Sequence, residues 1–137
     1  MQDTSKERLV RYTNNNYNVE IFTDGTKIRT WGQHENPRPH YPESIDVKIT
    51  NYCDAGCAFC HEMSTETEEK SPDLHSLVEY LSPCPEGVEL AIGGGNPLAH
   101  EQLEPFLAEM KRRGFICNMT VLAMHAPPIV TGKQVFY

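Results

Sequence analysis

The spacing of hydrophobic residues changes along the chain, and the change predicts where strands and helices alternate. Alternating or short apolar runs over 45–50, 88–92 and 115–122 predict three strands. Two helices are predicted between them from apolar residues three or four positions apart: Leu74, Leu77, Val78 and Leu81, then Leu103, Phe106, Leu107 and Met110. The order strand, helix, strand, helix, strand predicts parallel strands joined by right-handed crossovers.

Both predicted helices carry residues that stabilise helix ends. Ser71 and Pro72 predict the start of the first helix, with serine as the N-cap and proline at the first helical position. The run Lys111–Arg113 suits the negative end of the second helix, and Gly114 suits its termination. We therefore expect the first helix to begin just after Ser71 and the second to end before Gly114.

A β-hairpin is predicted upstream of these elements, over 17–31. Asp24-Gly25 indicates a two-residue type I′ turn, in which both central residues need positive φ. That turn sets three cross-strand pairs: Ile21 with Ile28, Val19 with Thr30, and Glu20 with Arg29.

The chain divides into three segments of different composition. Residues 1–44 are expected to hold the hairpin and a proline-rich linker, with the first dozen residues frayed. Residues 45–122 hold the alternating strands and helices. Residues 123–137 are expected to form an irregular tail, because Pro127-Pro128 blocks a long helix there.

Composition and charge narrow the classes of function. The net charge of −7 argues against a non-specific nucleic-acid binder, which needs a basic surface to neutralise phosphates. No apolar run is long enough to cross a bilayer, and residues 1–11 lack the apolar core of a secretory signal. We therefore expect a cytoplasmic protein without membrane partners, in which cysteines are metal or redox ligands rather than disulfides.

Three of the five cysteines stand close together, just after the first predicted strand. Cys53, Cys57 and Cys60 have the spacing C-x3-C-x2-C, which chance would produce only about 0.006 times in a chain of this cysteine content. Three thiolates on one loop can hold three irons of a cubic iron–sulfur cluster. The fourth iron would then be open to a small molecule.

Two other metal sites would use the same residues. A zinc site needs a fourth ligand, for which His61, Cys84 or another histidine is available. The string from Cys57 to His61 also matches covalent haem attachment, but that interpretation leaves Cys53 unused and normally requires export. A small structural zinc-binding module without catalysis is therefore the alternative to an iron–sulfur protein.

A glycine-rich run follows the second predicted strand. Gly93, Gly94 and Gly95 precede Asn96, and such a run is typical either of a flexible turn or of a backbone that approaches a ligand closely. Because the carboxyl ends of parallel strands meet at one edge of a sheet, this run and the cysteines are predicted to lie on the same edge.

Together these motifs resemble the radical S-adenosylmethionine (radical SAM) superfamily. The string C-x3-C-x-aromatic-C, with Phe59 before the last cysteine, is similar to the family's cluster motif. Gly94–Pro97 resembles its Gly-Gly-Glu-Pro segment, with Asn96 in place of glutamate but still able to accept hydrogen bonds. The resemblance implies two sets of residues: Cys53, Cys57 and Cys60 ligating a [4Fe–4S] cluster, and Phe59, Gly93, Gly94, Gly95 and Asn96 binding S-adenosyl-L-methionine (SAM).

The resemblance also implies an activity. One electron from the reduced cluster would cleave SAM to methionine and a 5′-deoxyadenosyl radical, which then abstracts hydrogen from a substrate. A low-potential donor such as flavodoxin or ferredoxin would supply the electron. Nothing in the sequence selects the substrate.

The implied fold class is α/β, a partial (β/α) barrel of about three parallel βα units preceded by a β-hairpin. Because barrels of the family have more such units, we expect this chain to be a truncated member. Its last predicted strand would then be an exposed parallel edge.

The sequence assigns no chemical role to the other two cysteines or to the residues that flank the motif. Cys84 and Cys117 are expected to pack as small hydrophobic residues. Asn51, Tyr52 and His61 flank the cysteines and would lie near a cluster, although such flanking residues are more often structural.

Overall fold

The computed structural model describes residues 7–58, 60, 63–121 and 135–136, which form two sheets and two α-helices. One sheet has the order β1-β2-β3 and the other the order β4-β5-β6-β7. The strands are β1 Arg8–Asn14, β2 Tyr17–Phe22, β3 Lys27–Trp31, β4 Ser44–Lys48, β5 Glu89–Gly93, β6 Ile116–Met119 and β7 Val135–Phe136. The helices are α1 His75–Leu81 and α2 Leu103–Arg112, with a short 3₁₀ helix at Pro97–Ala99.

The three strands predicted from apolar spacing are present and run parallel, β4 beside β5 and β5 beside β6. Both helices pack their predicted apolar residues into one hydrophobic core with Leu90, Ile92 and Cys117 of the sheet. Within the described residues, neither helix has the length and apolar character needed to cross a bilayer.

The expected partial (β/α) barrel is wrong. β7 runs antiparallel to β6 and pairs with Asn118 and Met119, so the parallel run ends at three strands and its last edge is covered there. On the face of β6 away from the helices, Ile116 packs against the antiparallel sheet. Alternating strands and helices specify parallel pairing but not closure, which also needs tilt and enough strands. The fold is therefore a small mixed domain with an open sheet.

The antiparallel sheet has one strand more than the expected hairpin. β1 begins at Arg8, inside the segment expected to be frayed, and pairs with β2. Residues 1–6 lie outside the described part of the chain. Apolar side chains on one face of this sheet form a second buried cluster: Tyr12, Tyr17, Val19 and Ile21.

The hairpin turn differs from the predicted type I′ turn. Gly25 has φ +87°, whereas Asp24 has no positive φ. Phe22 and Thr26 are joined by a hydrogen bond of 2.9 Å from the Phe22 N–H to the Thr26 carbonyl. The loop therefore has three residues and ends in a left-handed glycine, a common hairpin geometry.

The extra loop residue moves the register of β2 and β3 by one position, so the three predicted pairs are wrong. Val19 faces Arg29 and Glu20 faces Ile28. A shift of one residue turns each side chain of β3 to the other face of the sheet. Ile28 is consequently 44% exposed, and the basic side chains of β3 reach the second sheet.

Glu43, just before β4, joins the two sheets through these basic residues. Its carboxylate accepts hydrogen bonds from Tyr17 Oη at 2.7 Å and from Arg29 Nε at 2.9 Å. Lys27 Nζ lies 3.2 Å from Glu89 of β5. Burial raises the pKa of Glu43, but the hydrogen bonds from Arg29 and Tyr17 outweigh it and leave that pKa below its ordinary value.

Asparagines at the β1–β2 turn hold the proline-rich linker. Asn14 is fully buried, and its Oδ1 accepts hydrogen bonds from the backbone N–H groups of His40 (2.7 Å) and Tyr41 (3.0 Å). Its Nδ2 donates to the Tyr41 carbonyl at 2.8 Å.

Asn16 pairs in the same way with Arg38 N–H and the Asn36 carbonyl, both at 2.8 Å. We call these contacts, between 14–16 and 36–41, the asparagine junction.

Helix α1 begins later than predicted, at His75, with Leu74 in the N-cap position. Ser71 accepts a hydrogen bond from Glu101 N–H at 2.9 Å instead of capping the helix. The buried His100 holds the same segment, because its Nε2 lies 2.8 Å from the Pro72 carbonyl. Tertiary contacts therefore replaced a local cap. The predicted end of α2 is confirmed, since Gly114 has φ +88°.

Candidate metal and cofactor site

The cysteines and the glycine run lie at the same edge of the parallel sheet. β4 ends at Lys48, which pairs with Gly93 at the end of β5. The chain leaves β4 toward Cys53 and leaves β5 into Gly94, so both segments begin at carboxyl ends of neighbouring strands. The predicted co-location of these two motifs on one edge is confirmed.

Two of the glycines pack directly against the backbone that leads to Cys53. Gly95 N–H donates to the Thr50 carbonyl at 2.9 Å, and Asn96 N–H donates to the Tyr52 carbonyl at 2.6 Å. A Cβ on Gly95 would lie 2.6 Å from the Tyr52 carbonyl carbon and 2.9 Å from Cys53 Cβ. Gly94 has φ +138°, and a Cβ there would collide with the Thr50 carbonyl oxygen. The glycines at 94 and 95 are thus required by the protein's own backbone.

Gly93 and Asn96 have different surroundings. A Cβ on Gly93 would meet no heavy atom within 4 Å, so this glycine borders open space. Asn96 is buried, and its Oδ1 caps the 3₁₀ helix by accepting a hydrogen bond from Leu98 N–H at 3.2 Å. A carboxamide oxygen has two lone pairs, so one acceptor site remains after this cap.

The three predicted ligands occupy one loop, residues 53–60, which we call the cysteine loop. Cys53 and Cys60 are half-buried and Cys57 is exposed, and no disulfide joins any of the three. The backbone turns at its end, where Cys60 N–H donates to the Cys57 carbonyl at 3.3 Å. In the described part of the chain, no three histidine, cysteine or acidic side chains are gathered around a point where a metal could bind. Phe59 and His61 lie outside the described residues.

A short segment after the cysteine loop is hydrogen-bonded to both ends of the loop. Cys53 N–H donates to the Thr65 carbonyl at 3.1 Å, and Thr65 N–H donates to the Asn51 carbonyl at 3.2 Å. At the other end, Met63 N–H donates to the Cys60 carbonyl at 3.2 Å. Met63 has φ +52°, a left-handed conformation that is uncommon for a residue other than glycine. We call Met63–Thr65 the clasp.

Nothing in the sequence indicated a role for the clasp or for Ser64 within it. The Ser64 Oγ is buried and has no hydrogen-bond partner. Of the flanking residues considered from sequence, Asn51 is exposed, and Tyr52 is half-buried with Lys70 Nζ 4.7 Å from its ring centre. A serine four residues after a cysteine motif has no distinctive signal, so only the fold could have identified it.

The remaining two cysteines lie away from this loop. Cys117 on β6 is fully buried in the helix-side core, and burial raises the pKa of its thiol to about 11. Cys84 packs partly buried against the same core, and burial raises its pKa as well. Both expectations of a packing role are confirmed.

A cleft of about 880 Å³ lies elsewhere, between the antiparallel sheet and the start of β6. Its walls include Ile21, Phe22, Phe115 and Ile116. Because β6 starts at the edge opposite the cysteine loop, this cleft is separate from the candidate site.

No protein-family model, no curated protein and no solved structure matches this chain.

Proposed function

We propose that this chain is a cytoplasmic enzyme of the radical SAM type, which binds a [4Fe–4S] cluster through Cys53, Cys57 and Cys60 and SAM beside Gly93–Asn96. The observation that supports this most strongly is the contact between the two motifs. Gly95 and Asn96 donate backbone hydrogen bonds to the segment that leads to Cys53, so a molecule held by one motif would lie near the other. The carboxyl edge of a parallel sheet is also where ligands commonly bind in α/β folds.

The residues present fit such a cluster in donor type and number. Three cysteine thiols stand within one eight-residue loop, and an unpartnered hydroxyl is buried in the adjoining clasp. Because the sulfurs are not gathered in the described residues, the binding of metal would have to close the loop. Coupling of metal binding to local folding is usual for thiolate sites, since the ligands must also lose their protons.

Residues of the glycine run would bind SAM beside the cluster. When bound, a reduced cluster of this kind supplies the electron that cleaves SAM, received from a donor such as flavodoxin or ferredoxin. The open space beside Gly93 would admit the cofactor close to the backbone. The remaining acceptor site on Asn96 Oδ1 would accept from the amino group of SAM.

Anaerobic reconstitution with iron and sulfide tests the proposal. We expect about four irons per chain and a reduced electron paramagnetic resonance (EPR) signal that changes when SAM is added. Cys57→Ala should reduce iron uptake at least tenfold, because the cluster would lose one of three ligands. Cys84→Ala is the matched control and should retain the iron, since Cys84 packs against the core.

Two results would contradict the proposal. A colourless protein that binds a single zinc and does not respond to SAM would favour the structural zinc module. Loss of iron in Cys84→Ala would show that the ligand assignment is wrong.

A further inference from the structure

Two buried side-chain oxygens in the described part of the chain lack a hydrogen-bond partner, Tyr12 Oη and Ser64 Oγ. Burying a hydroxyl without a partner is unfavourable, and folded proteins leave few such groups. Tyr12 lies between the two sheets. Ser64 lies in the clasp, beside a loop that carries three thiols. The location of Ser64 therefore suggests that its partner is a ligand of that loop.

The backbone places Ser64 between the first and the last cysteine. The residue before it, Met63, is hydrogen-bonded to Cys60, and the residue after it, Thr65, is hydrogen-bonded to Cys53. Ser64 therefore bridges the two ends of the cysteine loop. Its hydroxyl is enclosed there while its backbone is held on both sides.

We propose that Ser64 is a positioning residue whose hydroxyl donates a hydrogen bond to a sulfur of the metal centre. This inference rests on the proposed function, because the acceptor is a ligated cysteine thiolate or a cluster sulfide. A sulfur atom accepts weakly when neutral and more strongly when it carries negative charge. The hydroxyl would thus gain its partner only when the loop is loaded.

A hydrogen bond to cluster sulfur changes the reduction potential of the cluster. The reduced cluster carries one more negative charge than the oxidised cluster, so the hydrogen bond stabilises the reduced state more. Ser64 would therefore raise the potential and make the cluster easier to reduce.

The test compares Ser64→Ala with Tyr12→Phe, which removes the other unpartnered buried hydroxyl far from the cysteines. Each protein is melted in its metal-free form, and each is then reconstituted with iron and sulfide and titrated by EPR-monitored reduction. In the metal-free form we expect neither variant to melt below wild type, because neither hydroxyl has a partner to lose. In the loaded form we expect a shift to lower potential in Ser64→Ala only, with iron content unchanged, and recovery in Ser64→Thr.

Two outcomes would overturn the role of Ser64 while leaving the proposed function intact. One is an unchanged potential in a Ser64→Ala protein that carries wild-type iron. The other is a lower melting temperature of metal-free Ser64→Ala, which would reveal a partner within the protein. Failure of the wild type to take up iron would instead reject both proposals together.

Discussion

The asparagine junction and the cysteine loop are both irregular segments held by hydrogen bonds, yet they use their polar groups differently. In the junction, both polar atoms of the Asn14 side chain bond to the proline-rich linker. In the clasp, the Ser64 hydroxyl is buried without a partner, and the three thiols of the loop are not gathered. Both polar atoms of the Asn14 side chain therefore have partners within the protein, whereas the Ser64 hydroxyl has none. This difference separates a structural connection from a candidate binding site.

The largest effect is expected from Asn14→Ala, which tests whether the junction is structural. The change leaves the backbone groups of His40 and Tyr41 without partners, so we expect the free energy of unfolding to fall by about 3 kcal/mol. Urea denaturation measures it. Thr13→Ala removes an exposed hydroxyl from the same strand and should cost less than about 1 kcal/mol. Equal stability of the two variants would mean that the junction does not hold the linker.

A smaller effect is expected from Gly95→Ala, which tests the contact between the glycine run and the cysteine loop. Its Cβ would press on the Tyr52 carbonyl, so we expect a loss of about 2 kcal/mol from the displaced backbone. Gly93→Ala is the matched control, since its Cβ enters open space, and it should change stability by less than about 0.5 kcal/mol.

In the reconstituted protein, Gly93→Ala should weaken the response of the EPR signal to SAM while preserving iron. Similar destabilisation by both substitutions would contradict the packing described for Gly95.

The smallest effect is expected from Glu43→Gln, which tests how the antiparallel sheet is fastened to β4. The pKa of Glu43 is lowered in the fold, so its stabilising contribution is present above the ordinary value of 4.5 and is lost as the pH falls below it. Glu43→Gln should therefore be less stable than wild type at neutral pH, and the difference should narrow in acid. Urea denaturation over a pH series measures this. Glu66→Gln, at an exposed site, should leave the stability at neutral pH close to that of wild type. A constant difference at all pH values would contradict the ion-pair role of Glu43.

Local patterns predicted the elements well where side chains pack in the way their periodicity requires. Leu103, Phe106, Leu107 and Met110 are buried on one face of α2, and the three parallel strands form where alternation placed them. The patterns failed where a neighbour in space decided the outcome. Ser71 lost its capping role to a contact with Glu101, and the hairpin register shifted because its loop takes three residues. Neither competing geometry is distinguishable from local residue preferences.

In the candidate site, too, local sequence patterns predicted some features and contacts between distant segments decided the others. The cysteine spacing and the order of the strands were sufficient to place the two motifs on one edge of a parallel sheet. They were not sufficient to show that Gly94 and Gly95 face the protein's own backbone, while Gly93 borders open space. That distinction depends on distances of a few ångströms between segments about forty residues apart.

By itself, the sequence determined the alternating strands and helices, the apolar faces of the helices and the spacing of Cys53, Cys57 and Cys60, because each depends on residues near one another in the chain. The tertiary structure alone decided that the parallel sheet stays open, that β7 covers its edge, and that the Ser64 hydroxyl is buried in a segment bonded to Cys53 and Cys60. These features depend on which distant backbone groups meet. Hydrogen-bond satisfaction and close packing are settled only when the whole chain has folded.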